Sequence, residues 1–489
     1  MALYLTFDIG TTALKTALIS GGGAVVSAHE VEYSPHHPHA DWVEMSADEY
    51  WKAAVEGTRR AFAQTSCSPD ELSAVGFSSQ GQTFVALDDD GEPLRDAIVW
   101  VDNRAADLAD QWHEEWLSRE EFRAITGYPW VAAGLTIFKI AWLAENEPQT
   151  HAAPHFLCLP DYLVYRLTGE RATDYNIAQM SGMYDIRTGE WSEKLLEHAG
   201  ISADRLPPVH PPGTVAGAVT AAAADELGIP AGVPVCLGAN DQLCGAIGAG
   251  NVAPGIVTET TGTALAVIAC TQELLDDERM YVGIHAVPDL YYAMPYANTA
   301  AVVLTWFRDV CDPEASYDEF LDGVEDIPIG ADGLTVLPHF AGLNCPRFDI
   351  SARGAIDGLT LGHTQKHIAR GIMESCACVL TELLEPVRNH GVKVGRVRSL
   401  GRSARSDLWL QMKADMLGVP VERPACSDAA SLGAAMLAAT GTGQFDTLKQ
   451  ASEAWYQPES VFEPQEENSA AYREVYQRYK DTCERMYGD

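Results

Sequence analysis

The N-terminal segment alternates between apolar runs and polar turns in a way that predicts three β-strands. Residues 3–7 and 13–19 are rich in residue types that favour strands, and they flank the polar turn 8–12. The glycines at 21–23 can return the chain into a third strand. We therefore predict a β-meander whose tightest bend lies at Gly10.

A similar arrangement returns in the second half of the chain. Residues 255–259 and 264–270 are typical of strands, and the turn 260–263 between them again combines threonines with a glycine. The repetition predicts a duplicated fold of two lobes with a cleft between them.

Polar clusters follow three other predicted strands. The clusters occupy residues 78–82, 102–104 and 238–241, and each comes directly after a short apolar run. Because the clefts of α/β proteins are built at strand ends, these clusters are candidates for a binding site.

Helical periodicity marks the remaining long segments. Helices are predicted at 46–64, with Ser46 and Glu49 as a capping box, and at 363–387. The C-terminal residues 472–486 form an apolar stripe at three- and four-residue steps, which predicts a helix that docks on a lobe.

A further helix, predicted at 427–439, is poor in bulky side chains. It contains Gly433, and a glycine allows the backbone of another element to approach closely.

Composition excludes several classes of partner. The chain has 489 residues, more than one core usually supports, so two domains are expected. Its 69 acidic and 33 basic residues give a formal charge of −36, which argues against nucleic acid or an anionic membrane as a partner. The sequence shows neither an apolar run of bilayer length nor a leader segment, and the cytoplasm is the expected location. The eleven cysteines include no C-x-x-C pair, which argues against structural zinc and a disulfide framework.

The turn at 8–12 has the chemistry to hold a phosphate group. Gly10 permits close backbone approach, and the hydroxyls of Thr11 and Thr12 are donors for phosphate oxygens. Asp8, an acceptor when ionised, suits a hydrated Mg²⁺. A plain hairpin with polar turn residues is the alternative for this short motif alone, and the second, similar turn argues against it.

Several motifs in a defined order resemble one known family. They are Asp8-x-Gly-Thr-Thr12 with Lys15, Trp100-x-Asp102-x-Arg104, Asp161-Tyr-Leu with Leu167-Thr-Gly169, Gly238-x-x-Asp241, Gly262-Thr263, and Gly354 to Gly358 followed by His363 and Arg370. Over nearly the whole chain, this order and spacing resemble the FGGY family of carbohydrate kinases, and most closely its xylulokinase-like branch.

The resemblance implies an α/β fold of two ribonuclease-H-like lobes of the actin and hexokinase type, with an interdomain cleft. It assigns residues 1–245 to an N-terminal lobe that mainly binds sugar. Residues 246–489 become a C-terminal lobe that mainly binds nucleotide and carries the docking helix. The implied cofactors are ATP and Mg²⁺, and a homodimer is common in the family.

Asp241 is the predicted catalytic base, because transfer of a phosphoryl group needs a carboxylate that accepts the proton of the attacking hydroxyl. The family places its catalytic aspartate at this motif, where it also contacts the sugar. An aspartate that caps the following helix is the alternative.

Five further residues are predicted to bind the sugar, since amides and carboxylates bind hydroxyls and an aromatic ring covers a C–H face. They are Gln80, Gln82, Trp100, Asp102 and Arg104. Trp100 as core and Arg104 as an ion-pair partner of Asp102 are the alternatives. Xylulokinases typically have Met-His-Gly where this chain has residues 80–82, which leaves the identity of the sugar open.

The nucleotide and its phosphates are assigned to the two turns and to a third segment. The predicted contacts are Gly10, Thr11, Thr12, Lys15, Thr261, Gly262, Thr263, Gly401, Arg402 and Ala404. The family usually carries Gly-Gly-Gly-Ala at 401–404, so Arg402 departs from the pattern and either stacks on adenine, contacts a phosphate or blocks the usual approach.

The sequence thus predicts an ATP-dependent kinase for a terminal hydroxyl of a small sugar or polyol, with a ketopentose such as xylulose as the first candidate. Other acceptors are ribulose, a tetritol, gluconate or a deoxy sugar. A non-catalytic actin-like sensor of sugar or nucleotide is the alternative from another class.

Overall fold

The protein is described here from a computed structural model that covers residues 2–488, and its chain forms two compact units. The first unit contains the chain up to Val252 together with Val282–Tyr291 and Asp428–Tyr456. The second contains Ala253–Tyr281, Tyr292–Ser427 and the chain from Gln457 onwards.

The strands of residues 2–488, in chain order, are β1 (Leu3–Ile9), β2 (Ala13–Ser20), β3 (Val25–Glu32), β4 (Glu44–Met45), β5 (Leu72–Ser79), β6 (Phe84–Leu87), β7 (Ala97–Ile98), β8 (His155–Cys158), β9 (Thr173–Asp174), β10 (Tyr184–Asp185), β11 (Glu190–Trp191), β12 (Val209–His210), β13 (Val215–Ala218), β14 (Pro234–Cys236), β15 (Ala239–Asn240), β16 (Ile256–Thr261), β17 (Leu265–Thr271), β18 (Tyr281–Ile284), β19 (Tyr291–Met294), β20 (Tyr296–Ala297), β21 (Thr335–Leu337), β22 (Ala355–Asp357), β23 (Arg396–Leu400), β24 (Val421–Pro424) and β25 (Pro458–Phe462).

The α-helices of the same residues are α1 (Ala47–Ala63), α2 (Ala106–Glu115), α3 (Arg119–Thr126), α4 (Thr136–Asn146), α5 (Pro148–His151), α6 (Leu159–Thr168), α7 (Tyr175–Met180), α8 (Glu193–Ala199), α9 (Ala221–Leu227), α10 (Asp241–Gly248), α11 (Val302–Cys311), α12 (Tyr317–Leu321), α13 (Gln365–Asn389), α14 (Asp407–Leu417), α15 (Ala429–Gly441), α16 (Leu448–Trp455) and α17 (Glu466–Tyr487).

The main sheet of the first unit confirms the predicted meander. Its strand order is β13–β14–β5–β1–β2–β3, in which β1, β2 and β3 are antiparallel neighbours. The strand β5 then pairs with β1 in parallel, and β14 pairs with β5 in parallel. The buried side chains of β1, β2 and β5 join those of α1 and α6 in one apolar core.

The second unit repeats this order. Its β16 is antiparallel to β17, which in turn pairs with β20, while on the other side β23 and β24 continue the sheet in parallel. A first strand flanked by an antiparallel neighbour on one side and two parallel strands on the other therefore occurs twice, which confirms the predicted duplication.

The two units do not divide at a single point in the sequence. The boundary predicted at 245–246 falls inside α10, and the chain returns to the first unit at Asp428–Tyr456. The physical reason is that α15 packs against α10 and against β1 and β5 of the first sheet. These contacts join segments that are distant in the sequence. The sequence analysis therefore predicted one domain boundary, whereas in the structure the chain passes between the two units several times.

Two helix predictions have different outcomes. The capping box at Ser46 is wrong: α1 begins directly after Ser46, but the serine side chain makes no capping hydrogen bond. The C-terminal helix α17 is present, and it packs on α14, α13 and β21 within the second unit. Its Tyr472 and Tyr479 are buried, so the predicted stripe is the docking face.

Candidate functional site

The first of the two predicted phosphate turns lies between β1 and β2, and two side chains support it through hydrogen bonds to its backbone. The carbonyl oxygen of Gly10 accepts hydrogen bonds from Tyr33 Oη (2.6 Å) and from Gln80 Nε2 (3.0 Å). The side chain of Gln80 is buried, so this residue holds the turn and does not face an acceptor. The hydroxyl-bearing Thr12 is exposed and Thr11 is partly exposed, which leaves both available to a phosphate group.

The carboxylate of Asp8 lies beside the same turn. Its Oδ1 accepts a hydrogen bond from Ser78 Oγ at 2.7 Å, while the Lys15 ammonium is 2.7 Å from Asp428 Oδ1. Burial raises the pKa of the Asp8 carboxyl, and the Asp428 carboxylate adds to the rise, whereas Ser78 and Lys15 lower it. Asp428 is a member of this site that the sequence analysis missed, because 413 positions separate it from Lys15.

Asp241 is the first residue of α10. Asn240, not Asp241, is the N-cap, since Asn240 Oδ1 accepts from the backbone N–H of Gln242, so the capping alternative for Asp241 does not hold. The backbone N–H of Asn240 donates to Asn176 Oδ1 at 2.8 Å, which fixes the strand end that precedes the helix. Burial raises the pKa of Asp241 to about 7, and the charge of Asp8 adds to this rise.

The charges at this site suit a divalent cation. The Asp428 carboxylate raises the pKa of Asp8, and the Asp8 carboxylate raises the pKa of Asp241, whereas the Lys15 ammonium lowers the pKa of Asp8. A hard cation that takes oxygen ligands would offset the negative charge that collects at this position. Asp8 therefore fits the predicted Mg²⁺ position.

Trp100 and Gln82 are the predicted sugar contacts that the structure leaves accessible. The Trp100 side chain is 40% exposed, and its Nε1–H donates to Thr11 Oγ1 at 2.8 Å, which brings it to the phosphate turn. Gln82 has a φ of 61°, an unfavourable conformation for a residue with a side chain. Its Nε2 donates to Tyr128 Oη at 3.0 Å.

Asp102 and Arg104 have a structural role, which corrects their assignment as direct sugar contacts. Asp102 is fully buried, and its carboxylate accepts hydrogen bonds from the backbone of Val43 and from the Arg104 guanidinium at 2.8–2.9 Å. Arg104 also pairs with Glu44 and lies over the ring of Trp42. The ion-pair alternative for these two residues is therefore confirmed.

A buried lysine that the sequence analysis missed supports the two accessible residues among the predicted sugar contacts. Lys139 on α4 is fully buried, and its Nζ donates to the carbonyl oxygens of Gln82 and Val99, both at 3.1 Å. Thr136 Oγ1 donates to the Gln82 carbonyl as well. Burial lowers the pKa of the Lys139 ammonium to about 7. One side chain thus holds the strained Gln82 and the residue that precedes Trp100.

Replacing Lys139 by Met is expected to raise the KM for the acceptor by about tenfold or more, while the KM for ATP changes by less than about twofold. The variant keeps the length of the side chain but loses both hydrogen bonds, so Gln82 and Trp100 lose their common support. Steady-state kinetics with each substrate varied in turn measures the effect.

Lys52→Met is the matched control for this variant, because Lys52 is exposed on α1 and pairs with Glu49 of the same helix. An acceptor KM that is the same in Lys139→Met and in Lys52→Met would contradict the role of Lys139.

The second phosphate turn follows β16 and is narrower than predicted, because Thr260 and Thr261 belong to the strand. Thr261 is buried, and its hydroxyl donates to Glu259 Oε2 at 2.6 Å. This hydroxyl therefore supports the turn, and it does not face a phosphate. Gly262 is partly exposed and Thr263 is exposed, so these two residues form the accessible part of the turn.

The predicted nucleotide segment packs directly against this turn. Gly401 adopts a φ of 81°, and a Cβ at its position would lie 3.5 Å from the carbonyl oxygen of Thr261. A helical turn at Arg402–Arg405 follows, in which Arg402 is exposed and Ala404 is buried. The carbonyl of Ala404 accepts a hydrogen bond from Arg423 Nε at 2.6 Å, which fixes the segment. The exposed Arg402 is free to reach a nucleotide.

A second group of metal-ligating residues lies away from these turns. His36, Glu44 and Asp96 bring their ligand atoms within 4.8 Å of one another. Glu44 already pairs with Arg95 and Arg104, and two guanidinium groups beside a carboxylate disfavour a cation there.

The duplicated sheets and the paired phosphate turns define a two-domain α/β phosphotransferase with an actin- and hexokinase-like fold. Residues 3–248 match the N-terminal domain and residues 260–442 the C-terminal domain of the FGGY family of carbohydrate kinases. The chain belongs to this family, which implies the use of ATP.

Named relatives include kinases for more than one acceptor. The xylulose kinase of Bacillus subtilis is 30% identical over 488 residues, which cover 98% of this chain and 96% of the relative. Glycerol kinase 2 of Thermotoga maritima is 30% identical over 509 residues, covering 100% of this chain and 99% of the relative. The crystal structure of xylulose kinase from Rhodospirillum rubrum is 29% identical with a TM-score of 0.91, covering 99% of this chain and 98% of that one. In residues 2–488, no helix combines the length and the apolar character that a membrane crossing requires.

Proposed function

We propose that this carbohydrate kinase transfers the γ-phosphoryl group of ATP to a terminal hydroxyl of a ketopentose, with xylulose as the preferred acceptor. The observation that carries the proposal is the similarity, over 98% of the chain, to the xylulose kinase of Bacillus subtilis. The exposed Trp100 beside Thr11 supports it, because an aromatic face next to a phosphate turn suits a sugar whose hydroxyl is to be phosphorylated.

In this proposal Asp241 accepts the proton of the attacking hydroxyl. Its pKa of about 7 places it near the pH at which a general base is most effective. The predicted phosphate-binding residues of the first unit are Thr11, Thr12 and the turn at Gly10, and those of the second unit are Gly262 and Thr263. Asp8 holds Mg²⁺, which neutralises charge on the phosphate oxygens when it is bound. Gly401, Arg402 and Ala404 contact the nucleotide.

Glycerol is the second candidate acceptor, because glycerol kinase 2 of Thermotoga maritima is as similar to this chain as the xylulose kinase is. Gln82 is the residue that we expect to discriminate between xylulose and glycerol. Gln82 is partly exposed, its side-chain amide donates to Tyr128 Oη at 3.0 Å, and its backbone carbonyl accepts hydrogen bonds from Lys139 and Thr136. A fixed amide discriminates between acceptors by the position of their hydroxyls.

An ADP-release assay with Mg-ATP tests the proposal across xylulose, ribulose, glycerol, gluconate, a tetritol and a deoxy sugar. Each phosphorylated product is identified by its mass. The highest kcat/KM is expected for xylulose. A higher value for glycerol or gluconate would overturn the choice of acceptor, and ADP release that depends on none of the acceptors would favour the sensor.

Two further assignments belong to the proposal. We expect an ATP-dependent kinase to work in a compartment that contains ATP, and we therefore propose that the protein is located in the cytoplasm. The homodimer implied by the family stays a prediction, which sedimentation velocity would test.

A further inference from the structure

A fully buried ion pair lies beneath the second phosphate turn. The side chains of Lys413 on α14 and Glu259 on β16 are both 0% exposed, and Lys413 Nζ is 2.6 Å from Glu259 Oε1. The hydroxyl oxygens of Thr261 (3.1 Å), Ser399 (3.3 Å) and Ser403 (3.4 Å) also lie within hydrogen-bond distance of this ammonium, which shares its three N–H groups among them and Glu259. Removing two charges from water costs several kcal/mol for each ion, so such a pair persists where its geometry is well satisfied.

The hydrogen bonds of Lys413 connect two different turns. Thr261 is the last residue of β16, directly before the phosphate turn, whereas Ser403 lies in the helical turn Arg402–Arg405 of the nucleotide segment. The two turns already touch, because Gly401 packs against the backbone of Thr261. A single buried ammonium is therefore bonded to both segments that the proposed function assigns to the nucleotide.

The duplication of the fold shows what this pair corresponds to in the first unit. Asp8 and Ser78 are register partners on the parallel strands β1 and β5, and Ser78 Oγ donates to the Asp8 carboxylate. Glu259 and Ser399 are register partners on the parallel strands β16 and β23, and Ser399 Oγ donates to the Glu259 carboxylate. The two carboxylates thus occupy equivalent positions in the two units.

The two equivalent carboxylates, Asp8 and Glu259, differ in the positive group that accompanies them. In the first unit the nearby Lys15 is bonded to Asp428, and the Asp8 carboxylate is the one that the proposed function assigns to Mg²⁺. In the second unit the Lys413 ammonium is bonded directly to Glu259. The protein therefore supplies its own cation at the second position.

We propose that Lys413 is a positioning residue for the nucleotide. Its ammonium, paired with Glu259, replaces a metal ion in the second unit and holds the turns 261–263 and 401–404 in the geometry that binds nucleotide. The inference rests on the proposed function, since it takes these turns as the nucleotide contacts.

The test is the affinity for ADP, measured by isothermal titration calorimetry on the full chain. Lys413→Met removes the charge and the hydrogen bonds and is expected to raise the Kd for ADP by about tenfold or more. The KM for ATP is expected to rise in parallel, whereas the KM for the acceptor stays within about twofold. Glu259→Gln is expected to weaken ADP binding in the same direction, because it leaves the Lys413 charge buried without its counter-ion.

Glu422→Gln is the matched control. Glu422 is buried and pairs with Arg398 Nε at 2.8 Å across β23 and β24 of the same sheet. This variant is expected to lower the melting temperature and to leave the Kd for ADP within about twofold, because the ion pairs of Glu422 are with Arg396 and Arg398 and not with Lys413. An equal loss of ADP affinity in Glu422→Gln would reduce Lys413 to a general stabilising role and overturn the proposal.

Ser399→Ala keeps the test decisive if Lys413→Met does not fold. It removes one hydrogen-bond partner of the Glu259–Lys413 pair, and a rise of about threefold in the Kd for ADP is expected. An unchanged Kd in Ser399→Ala, or in a folded Lys413→Met, would overturn the positioning role. Failure of the wild-type protein to bind ADP would instead remove the proposed function on which the inference rests.

Discussion

Replacing Asp241 by Asn is expected to lower kcat by about 10²–10⁴-fold while the KM for the acceptor changes little. The amide keeps the shape of the side chain and can still accept the hydrogen bond from the backbone N–H of Gln242, but it cannot take a proton from the attacking hydroxyl. Single-turnover formation of the sugar phosphate measures the effect directly. Turnover at the wild-type rate would remove Asp241 from the mechanism.

The pH dependence gives an independent readout of the same carboxyl. Its pKa of about 7 predicts that kcat/KM falls about tenfold for each pH unit below 7, since the base must be ionised. A pKa raised above the unfolded value means that the folded state binds the proton more tightly. The wild-type protein therefore loses stability as the pH rises from about 4 to about 7, and the loss persists above that range.

Asp241→Asn removes the free-energy cost of ionising this carboxyl in the folded state. The variant is therefore expected to melt at a higher temperature than the wild type at pH 8, and the difference between the two melting temperatures should shrink towards pH 4. Asp225→Asn is the control, because Asp225 is exposed on α9. Equal melting temperatures of Asp241→Asn and wild type at pH 8 would contradict the burial of this charge.

The features that the sequence predicts well are those set by neighbours in the chain. The two phosphate turns follow from short apolar runs on either side of a glycine, and their repetition predicts the duplicated sheet. The position of Asp241 between a strand and a helix is also set locally, while its role as the base stays a prediction. In each case the relevant pattern lies within a few residues of the position concerned.

The features that the sequence does not reveal depend on contacts between distant segments. Lys413 meets Glu259 across 154 positions, and no local pattern marks a lysine that is to be buried. Gln80 and Asp102 have the polar side chains that a sugar site needs, but packing turns them inward, towards Gly10 and Arg104. Residue type was therefore predictable at these positions, whereas the direction of the side chain was not.

The largest effect on stability is expected at Gly433, where α15 crosses α10. A Cβ at Gly433 would overlap the carbonyl oxygen of Cys244, and a Cβ at Gly248 would overlap the carbonyl oxygen of Ala429. The two helices therefore touch through their backbones at a pair of glycines, each of which faces the other helix. No side chain can move aside to relieve such an overlap, because in each case the added Cβ would meet a backbone carbonyl of the other helix.

Gly433→Val is expected to lower the free energy of unfolding by about 3–5 kcal/mol, measured by chemical denaturation. Gly433→Ala should cost less but still destabilise the protein, even though alanine gains about 1 kcal/mol over glycine in helix propensity. Ala430→Val on the same helix is the matched control, because Ala430 is partly exposed, and a loss below about 1 kcal/mol is expected there.

The expected loss extends from stability to activity. Helix α10 begins at Asp241 and α15 begins directly after Asp428, so the crossing at Gly433 fixes the spacing of the two helix ends that carry these carboxylates. If the helices separate, kcat should fall in Gly433→Ala even at temperatures where that variant remains folded. A loss in Gly433→Val no larger than that in Ala430→Val would mean that the helices do not approach through these glycines, and full activity in a destabilised Gly433→Ala would mean that their spacing does not position the site.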